Sequence, residues 1–319
     1  MSDAVLINAP ATSANLGCGY DVMGLCLDGA GDRILLRKSD VPGVRITAIR
    51  NADLPTDPAQ NVASVSLLAM LEHYRHTHGV NAGPAGFEME IDKGILPGSV
   101  LGSSAASAAG SVFAANELLG QPYTRAQLVL FAMAGEALAS GVPHADNVAP
   151  CLMGGVTLVR SNEPLDVVSL PFPDDLHITV LHPQVEVKTS ESRAVLPKQV
   201  ALTDAVNQWQ NIAGLVAGFA KKDSALIARS MPDGIVEPAR KSLIPGFDAV
   251  KAAAMEEQAL GCSISGAGPS IFALCEGEHI ADNVAMAMED AFHDTNIDYH
   301  IHVSAINPRG CTVLDSNPS

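Results

Sequence analysis

Apolar and polar residues alternate in short runs along the first half of the chain, and longer segments between these runs show helical spacing. The alternation predicts strands in AVLINAP, GDRILLRK, GVRITAI and GFEMEIDKGIL, with the second and third forming an antiparallel pair. Helical spacing continues from DPAQNVAS to Gly79, then from Ser104 to Leu119, and through TRAQLVLFAMAGEALAS, where Thr124 is placed to cap the helix.

The second half of the chain repeats this mixture. It predicts strands in GGVTLVRS, LHITVLHP and YHIHVSAI, helices around 201–229, 245–260 and 280–292, and a strand–turn–strand unit in CSISGAGPSIFALC. Three prolines between Pro164 and Asp174 indicate a boundary, which we place between domains 1–168 and 169–319. Hairpins and helices occur in both halves, so an α+β fold is favoured over a doubly wound parallel sheet.

Composition narrows the class of protein. The chain has 319 residues, which favours two domains, and its net charge of −16 argues against binding to nucleic acid or to an anionic membrane. The six cysteines form no C-x-x-C pair, as expected for reduced thiols in a cytoplasmic protein. The start has no signal-peptide pattern, and Gly, Pro or charge interrupts every apolar stretch, so we expect no membrane span.

One stretch of small residues suggests chemistry. ILPGSVLGSSAASAAGSVFAANELLG, from Ile95 to Gly120, joins a glycine-rich turn to a helix whose free N–H groups could hold a phosphate. It contains no Gly-Lys-Ser/Thr, so it is not a Walker loop, and its order of elements is not that of a Rossmann site. By itself the pattern fits equally well a helix packed closely on a sheet.

Three stretches in order resemble the motifs of the GHMP kinases. The second motif of that family, P-x-x-x-G-L-G-S-S-A, is similar to the turn above. Ala9–Asp28 resembles the first motif, and Ser263–Leu274 resembles the third. GVPHADNVAPCLMGG and EPARKSLIPG are similar to the members that act on L-homoserine.

The resemblance implies a fold and a reaction. It implies an N-terminal domain like ribosomal protein S5 domain 2 and a ferredoxin-like C-terminal domain, with the active site between them. It also implies ATP-dependent phosphorylation of the side-chain hydroxyl of L-homoserine, in threonine biosynthesis, by a homodimer.

The resemblance also assigns residues to ATP and to Mg²⁺. Ser104 and Glu136 correspond to the family's magnesium ligands, and oxygen ligands suit this ion. Val100 stands where the family normally has glycine, so we expect weakened ATP binding and a lower KM for ATP in Val100→Gly. The residues expected at the nucleotide are Asn61, Pro97, Gly98, Ser99, Val100, Leu101, Gly102, Ser103, Ser104 and Ala105.

A zwitterionic substrate needs a carboxylate for its ammonium group and cations for its carboxylate. The resemblance assigns Asp21 to the ammonium group, and Arg193 and Arg240 to the carboxylate, because a planar guanidinium suits a carboxylate. The substrate-binding residues implied are Asn15, Asp21, Asn147, Thr189, Arg193 and Arg240.

The catalytic assignment leaves two candidates. We favour Asn147 as the residue that positions the substrate hydroxyl, because phosphoryl transfer depends mostly on positioning and charge neutralisation. Asp146 is the rival, as a general base, and His144 we interpret as structural. Two other functions stay open: a GHMP kinase acting on a different alcohol, and a non-catalytic regulator that binds ligand.

Overall fold

The computed structural model describes residues 2–95, 98, 101–185 and 187–314, and within them two sheets carry the fold. Pro97, Ser99 and Val100 lie outside the described residues. The strands are β1 (Ala4–Ala14), β2 (Met23–Ser39), β3 (Gly43–Arg50), β4 (Gly86–Asp92), β5 (Val156–Asn162), β6 (Leu165–Leu170), β7 (Leu176–Pro183), β8 (Gly261–Ile264), β9 (Ile271–Glu276), β10 (Tyr299–Ala305) and β11 (Thr312–Leu314). The helices are α1 (Val62–His78), α2 (Ser103–Leu118), α3 (Arg125–Ser140), α4 (Val148–Met153), α5 (Thr189–Ala194), α6 (Leu202–Lys221), α7 (Ser224–Ser230), α8 (Val236–Arg240), α9 (Phe247–Glu256) and α10 (Glu278–His293).

The first sheet has seven strands, with the order β11-β1-β2-β4-β3 and a branch in which β5 pairs with β2 and β6 with β5. The predicted antiparallel pair of GDRILLRK and GVRITAI is wrong. β4 lies between these two strands, antiparallel to β2 and parallel to β3. Helix α1 connects β3 to β4, and a crossover of this kind permits parallel pairing, which a hairpin cannot make.

Helix α2 packs very closely on the first sheet, and this accounts for its small residues. A Cβ added at Gly110 would stand 2.6 Å from Ile34 Cδ1 and 2.9 Å from Ala9 Cβ. All six alanines of α2 are buried, so the helix lies in the core rather than on the surface. The helix lies over β1 and β2, and its N-terminal end meets the first motif where the Thr12 N–H of β1 donates to the Leu101 carbonyl at 3.1 Å.

The second sheet is antiparallel, with the order β10-β7-β9-β8. In chain order this is 4-1-3-2, which is the ferredoxin-like topology, and α9 and α10 pack on it around Phe247 and Phe292. The chain is therefore α+β, as expected.

The predicted boundary between domains at 168/169 stays a prediction, and two elements bear on it. The boundary falls inside β6, which belongs to the first sheet, and β11 returns from the C-terminal part of the chain to pair with β1. The two sheets therefore do not divide the chain at a single point.

Candidate active site

A cleft of about 660 Å³ lies where the two parts of the chain meet. Asn15 of the first motif donates a hydrogen bond to the carbonyl of Gly266 in the third motif at 2.6 Å, so the two motifs contact each other. The cleft collects predicted residues from distant parts of the sequence: Asn15, Asp21, Asn61, Gly98, Gly102, Ser103, Ser104, Glu136, Asp146, Asn147, Thr189, Arg193 and Arg240. Leu101 and Ala105 are buried and do not line it.

The N-terminal end of α2 opens onto the cleft. Gly102 precedes the helix with a φ of 67°, in the left-handed region that favours glycine. A side chain at Gly102 would also collide with Thr12, since a Cβ there would lie 2.0 Å from the Thr12 Oγ1. Ser103 and Ser104 begin the helix and line the cleft. The first N–H groups of α2 thus face the cleft, as a phosphate site requires.

A buried ion pair holds both ends of the loop before α2. The Lys93 ammonium pairs with Asp32, and it donates to the Ser103 carbonyl at 2.8 Å and to Ser107 Oγ at 3.0 Å. The other oxygen of Asp32 accepts from the backbone N–H groups of Gly94 and Ile95, both at 3.1 Å. One end of the loop is thus bound by the carboxylate and the other by the ammonium.

Sequence reasoning missed this pair. Asp32 lies within GDRILLRK and Lys93 directly follows β4, so each reads as an ordinary residue at a strand end. No pattern in the sequence distinguishes them, because both segments contain several other charged residues. Both side chains are at most 1% exposed. An ion pair buried this deeply needs additional hydrogen bonds to offset the loss of hydration of its two charges.

Glu136 and Ser104 form the predicted magnesium pair. Glu136 lies on α3 and is buried, and burial raises the pKa of its carboxyl to about 7, although a hydrogen bond with Ser104 lowers it somewhat. Burial deprives the ionised carboxylate of hydration, so a nearby cation would stabilise it strongly. Within the described part of the chain no cluster of three His, Cys, Asp or Glu side chains could hold a metal.

Asp21 and Arg193 face each other across the cleft. The Arg193 Nη2 lies 3.2 Å from Asp21 Oδ1 and 3.3 Å from Oδ2, and Nη1 lies 3.3 Å from Oδ2. Burial works to lower the pKa of the Arg193 guanidinium, but the Asp21 carboxylate outweighs it and the pKa rises. The groups assigned to the two charges of the substrate are therefore paired with each other.

His144 and Tyr20 complete the surroundings of Arg193. The guanidinium donates to His144 Nε2 at 2.7 Å and to the Tyr20 hydroxyl at 3.0 Å. Because an arginine can only donate, the His144 Nε2 accepts, and its ring is neutral with the proton on Nδ1. Burial lowers the pKa of His144, which favours this neutral form. His144, interpreted as structural, thus contacts a predicted substrate residue.

Arg240 is held differently from Arg193. It is almost fully buried, its Nε donates to the Ser192 carbonyl at 3.1 Å, and its Nη1 donates to the Gly266 carbonyl at 3.0 Å. Its guanidinium carbon lies 4.9 Å from the centre of the Tyr20 ring. Burial lowers its pKa. Backbone carbonyls and an aromatic face thus fix this cation in place.

The loop after β1 adopts an unusual backbone that presents Asn15 and Asp21. Positive φ angles occur at Asn15 (79°), Leu16 (44°), Gly17 (74°) and Asp21 (58°). Asn15 Oδ1 accepts the backbone N–H of Asp21 at 3.0 Å, which closes the loop. Left-handed residues held in this way cluster at ligand sites.

Asp146 and Asn147 directly precede α4 and line the cleft. The Thr12 hydroxyl donates to Asn147 Oδ1 at 2.8 Å, which fixes the amide with its oxygen toward Thr12. Asp146 is buried, and desolvation together with Asp21 and Glu136 raises the pKa of its carboxyl to about 7. The arrangement therefore offers an oriented amide beside a weakly acidic carboxyl.

Asn61 and Thr189 line the cleft in different ways. The Asn61 side chain caps α1 by accepting from the N–H of Ala63 at 3.0 Å, and it donates to the carbonyl of Pro55 at 2.8 Å. Both the Oδ1 and the Nδ2 of Asn61 therefore already form hydrogen bonds within the protein. Thr189 begins α5, one helical turn before Arg193.

Comparison with known proteins identifies the family. The family models for the GHMP kinases N terminal domain and the GHMP kinases C terminal match residues 65–155 and 215–294. A homoserine kinase of Chlorobium phaeobacteroides is 44% identical over 315 residues, with 96% of this chain and 98% of the relative covered. The chain belongs to the homoserine kinase branch of the GHMP kinases. One of Methanocella arvoryzae is 40% identical, with 98% of each chain covered.

Solved structures agree with this placement. The homoserine kinase from Cytophaga hutchinsonii shares 51% identity over 98% of each chain, with a TM-score of 0.92. A mevalonate kinase from L. major, at 17% identity with 94% of this chain and 95% of that chain covered, has a TM-score of 0.70 and so shares the fold. Membership of the GHMP kinases makes the protein a phosphotransferase that uses ATP. In the described residues no helix combines the length and apolar character that crossing a membrane requires.

Proposed function

We propose that this protein transfers the γ-phosphoryl group of ATP to the side-chain hydroxyl of L-homoserine, giving O-phospho-L-homoserine and ADP. The observation that carries the proposal is the composition of one cleft: Asp21, Arg193 and Arg240 for an amino acid, and the N-terminal end of α2 for phosphates. A neutral alcohol would need no such set of charges. Asn147 lines the same cleft, beside Thr12 and Gly102 at the N-terminal end of α2.

The N-terminal end of α2 would hold the phosphates of ATP. Its N–H groups at Ser103 and Ser104 are free to donate because the first turn of a helix has no internal acceptors. The positive end of the helix dipole favours the same anion. The Lys93–Asp32 pair supports this by fixing the ends of the loop while remaining neutral as a pair.

Glu136 and the Ser104 hydroxyl would hold Mg²⁺ bound to the nucleotide. Both supply oxygen atoms, and a nucleotide-bound Mg²⁺ commonly takes only one or two carboxylates from the protein. When bound, Mg²⁺ neutralises negative charge on the phosphate oxygens. The burial that raises the pKa of Glu136 explains why a cation would be favoured there.

Asn147 would position the nucleophile. Since its Oδ1 accepts from Thr12, its Nδ2 is the atom that can donate to the substrate hydroxyl oxygen. An amide donor orients the hydroxyl but cannot take its proton. Asp146 is the group that could, with a pKa near 7, but a loose transition state does not require a base.

The same proposal includes a homodimer in a reducing, cytoplasmic compartment. The cysteines support the reducing compartment, because all six are buried and none forms a disulfide: Cys18, Cys26, Cys151, Cys262, Cys275 and Cys311. Light scattering of the purified protein would test the homodimer.

A coupled assay of ADP release tests the proposed reaction. The alcohols compared are L-homoserine, L-threonine, mevalonate and galactose, each with ATP and Mg²⁺. We expect turnover to be fastest with L-homoserine. Preference for mevalonate or galactose would indicate a different GHMP kinase, and no ADP release with any alcohol would indicate a protein that binds without catalysis.

A further inference from the structure

The ion pair between Asp21 and Arg193 suggests how the site selects its substrate, if the proposed function holds. In the protein without ligand, the group assigned to the substrate ammonium and a group assigned to the substrate carboxylate bind each other. We propose that this internal pair makes the site selective for alcohols that carry both charges, because a ligand with one charge that enters the pair can replace only one of its two partners.

The geometry supports replacement of the pair by a ligand. The N–O distances of 3.2 to 3.3 Å are long for a charge-assisted pair, and about a quarter of each side chain is exposed to the cleft. Among the described residues, the Arg193 Nε and the His144 Nδ1 are buried without a hydrogen-bond partner. The pair therefore leaves donors that an additional acceptor could satisfy.

A zwitterion exchanges one pair for two. Its ammonium takes the place of Arg193 beside Asp21, and its carboxylate takes the place of Asp21 beside Arg193. Neither protein group then loses its partner. Leaving a buried or half-buried charge without a partner is more costly than never forming the contact, so a single-charge analogue that enters the pair is penalised for the one protein charge it leaves unpaired.

Arg240 makes the selectivity unequal. It bonds to backbone carbonyls and stacks on Tyr20, so a carboxylate can approach it without first separating a side-chain ion pair. The carboxylate of an anionic alcohol can thus still bind Arg240. A cationic alcohol that takes Asp21 from Arg193 leaves both Arg193 and Arg240 without a carboxylate. The expected order of binding is L-homoserine, then 4-hydroxybutyrate, then 3-amino-1-propanol.

The Asp21→Asn variant distinguishes selection by the Asp21–Arg193 pair from the simple loss of a residue that binds the substrate. Asparagine tolerates the left-handed backbone at this position, so the loop keeps its shape. The variant loses the ammonium partner, and we expect kcat/KM for L-homoserine to fall about 10- to 150-fold. It also releases Arg193, so binding of 4-hydroxybutyrate should improve about 2- to 5-fold, the range of a partly exposed ion pair.

The experiment measures kcat/KM for L-homoserine, and inhibition constants for 4-hydroxybutyrate and 3-amino-1-propanol, in the wild type, Asp21→Asn and Arg193→Met. The reciprocal result is expected in Arg193→Met, where 3-amino-1-propanol binds more tightly than in the wild type. Asp174→Asn is the matched control, since Asp174 pairs with Lys222 on the surface and does not line the cleft.

Two results would overturn parts of this account separately. If both variants bind every ligand more weakly, the pair only maintains the site, and the selectivity mechanism is wrong although the kinase assignment stands. If the wild type shows no turnover of L-homoserine, the proposed function fails first. A gain for 4-hydroxybutyrate in Asp21→Asn with a gain for 3-amino-1-propanol in Arg193→Met supports the mechanism.

Discussion

Asp146→Asn should stabilise the ligand-free protein at alkaline pH. The carboxyl of Asp146 is buried, and its pKa rises from 3.8 to about 7 because of desolvation and the nearby Asp21 and Glu136. Each pH unit of this difference corresponds to about 1.4 kcal/mol, so the ionised carboxyl lowers the free energy of unfolding by up to about 4 kcal/mol. Asparagine has nearly the same shape and no charge, so it removes this penalty.

The pH dependence gives the sign of the effect. A folded-state pKa above the unfolded value means that the folded protein binds more protons between pH 4 and pH 7, so stability falls as pH rises through that window. The gain from Asp146→Asn should therefore be largest at pH 8 and shrink towards pH 5. At about 2–4 °C for each kcal/mol, a rise in Tm of several degrees at pH 8 is expected.

Thermal unfolding at pH 5, 6.5 and 8 measures this directly. The exposed Asp174→Asn serves as the control for removing a carboxylate, and its Tm difference should not follow the same pH profile. A lower Tm for Asp146→Asn at pH 8 would mean that the ionised carboxylate is held by native partners. An equal gain at pH 5 and pH 8 would mean that ionisation is not the cause.

Four further variants test the site by steady-state kinetics. Arg240→Ala should raise KM for L-homoserine and lower kcat/KM about 10- to 150-fold, with KM for ATP little changed; an unchanged KM for L-homoserine would refute the carboxylate assignment. Asn147→Ala should lower kcat more than Asp146→Asn does. If Asp146→Asn instead lowers kcat by about 10²–10⁴ and removes the acidic limb of the pH–rate profile, Asp146 is a base. Lys93→Met should raise KM for ATP but not KM for L-homoserine, because it frees the Ser103 end of the loop; an equal rise in both KM values would indicate a change to the whole cleft, and a lower kcat with both KM values unchanged would indicate loss of folded protein. Val100→Gly should lower KM for ATP, and an equal KM in both proteins would show that valine is tolerated.

Local signals in the sequence predicted local structure well. The helix expected from Ser104 begins at Ser103, Gly79 ends α1, and Thr124 caps α3 through a capping box with Gln127. These features depend on residues within a few positions of each other, so the sequence contains what determines them.

Pairing between distant strands was harder to predict. The order β2-β4-β3 depends on how α1 positions β4 relative to β3. The alternation of apolar residues in β3 would be the same whether β3 paired with β2 or with β4. The strands β6 and β11 were missed for a related reason. β6 lies in the proline-containing segment taken for a boundary, and β11 has only three residues.

The predicted site residues came from the family motifs, and the structure shows what those motifs cannot. Arg193 and Asp21 were assigned to opposite ends of a substrate, and nothing in the sequence indicates that they bind each other. Similarly, Lys93 and Asp32 are 61 residues apart, and only the packing of β2 against β4 brings them together. Contacts of this kind follow from the tertiary fold rather than from spacing along the chain.

Identification of the product tests the central claim most directly. The protein is incubated with L-homoserine, ATP and Mg²⁺, and the products are followed by ³¹P and ¹H NMR. We predict a phosphomonoester signal coupled to the side-chain methylene protons of homoserine, appearing in equal amount with ADP and absent without the amino acid. ADP formed with inorganic phosphate alone, or a phosphoryl group on the carboxylate, would contradict it.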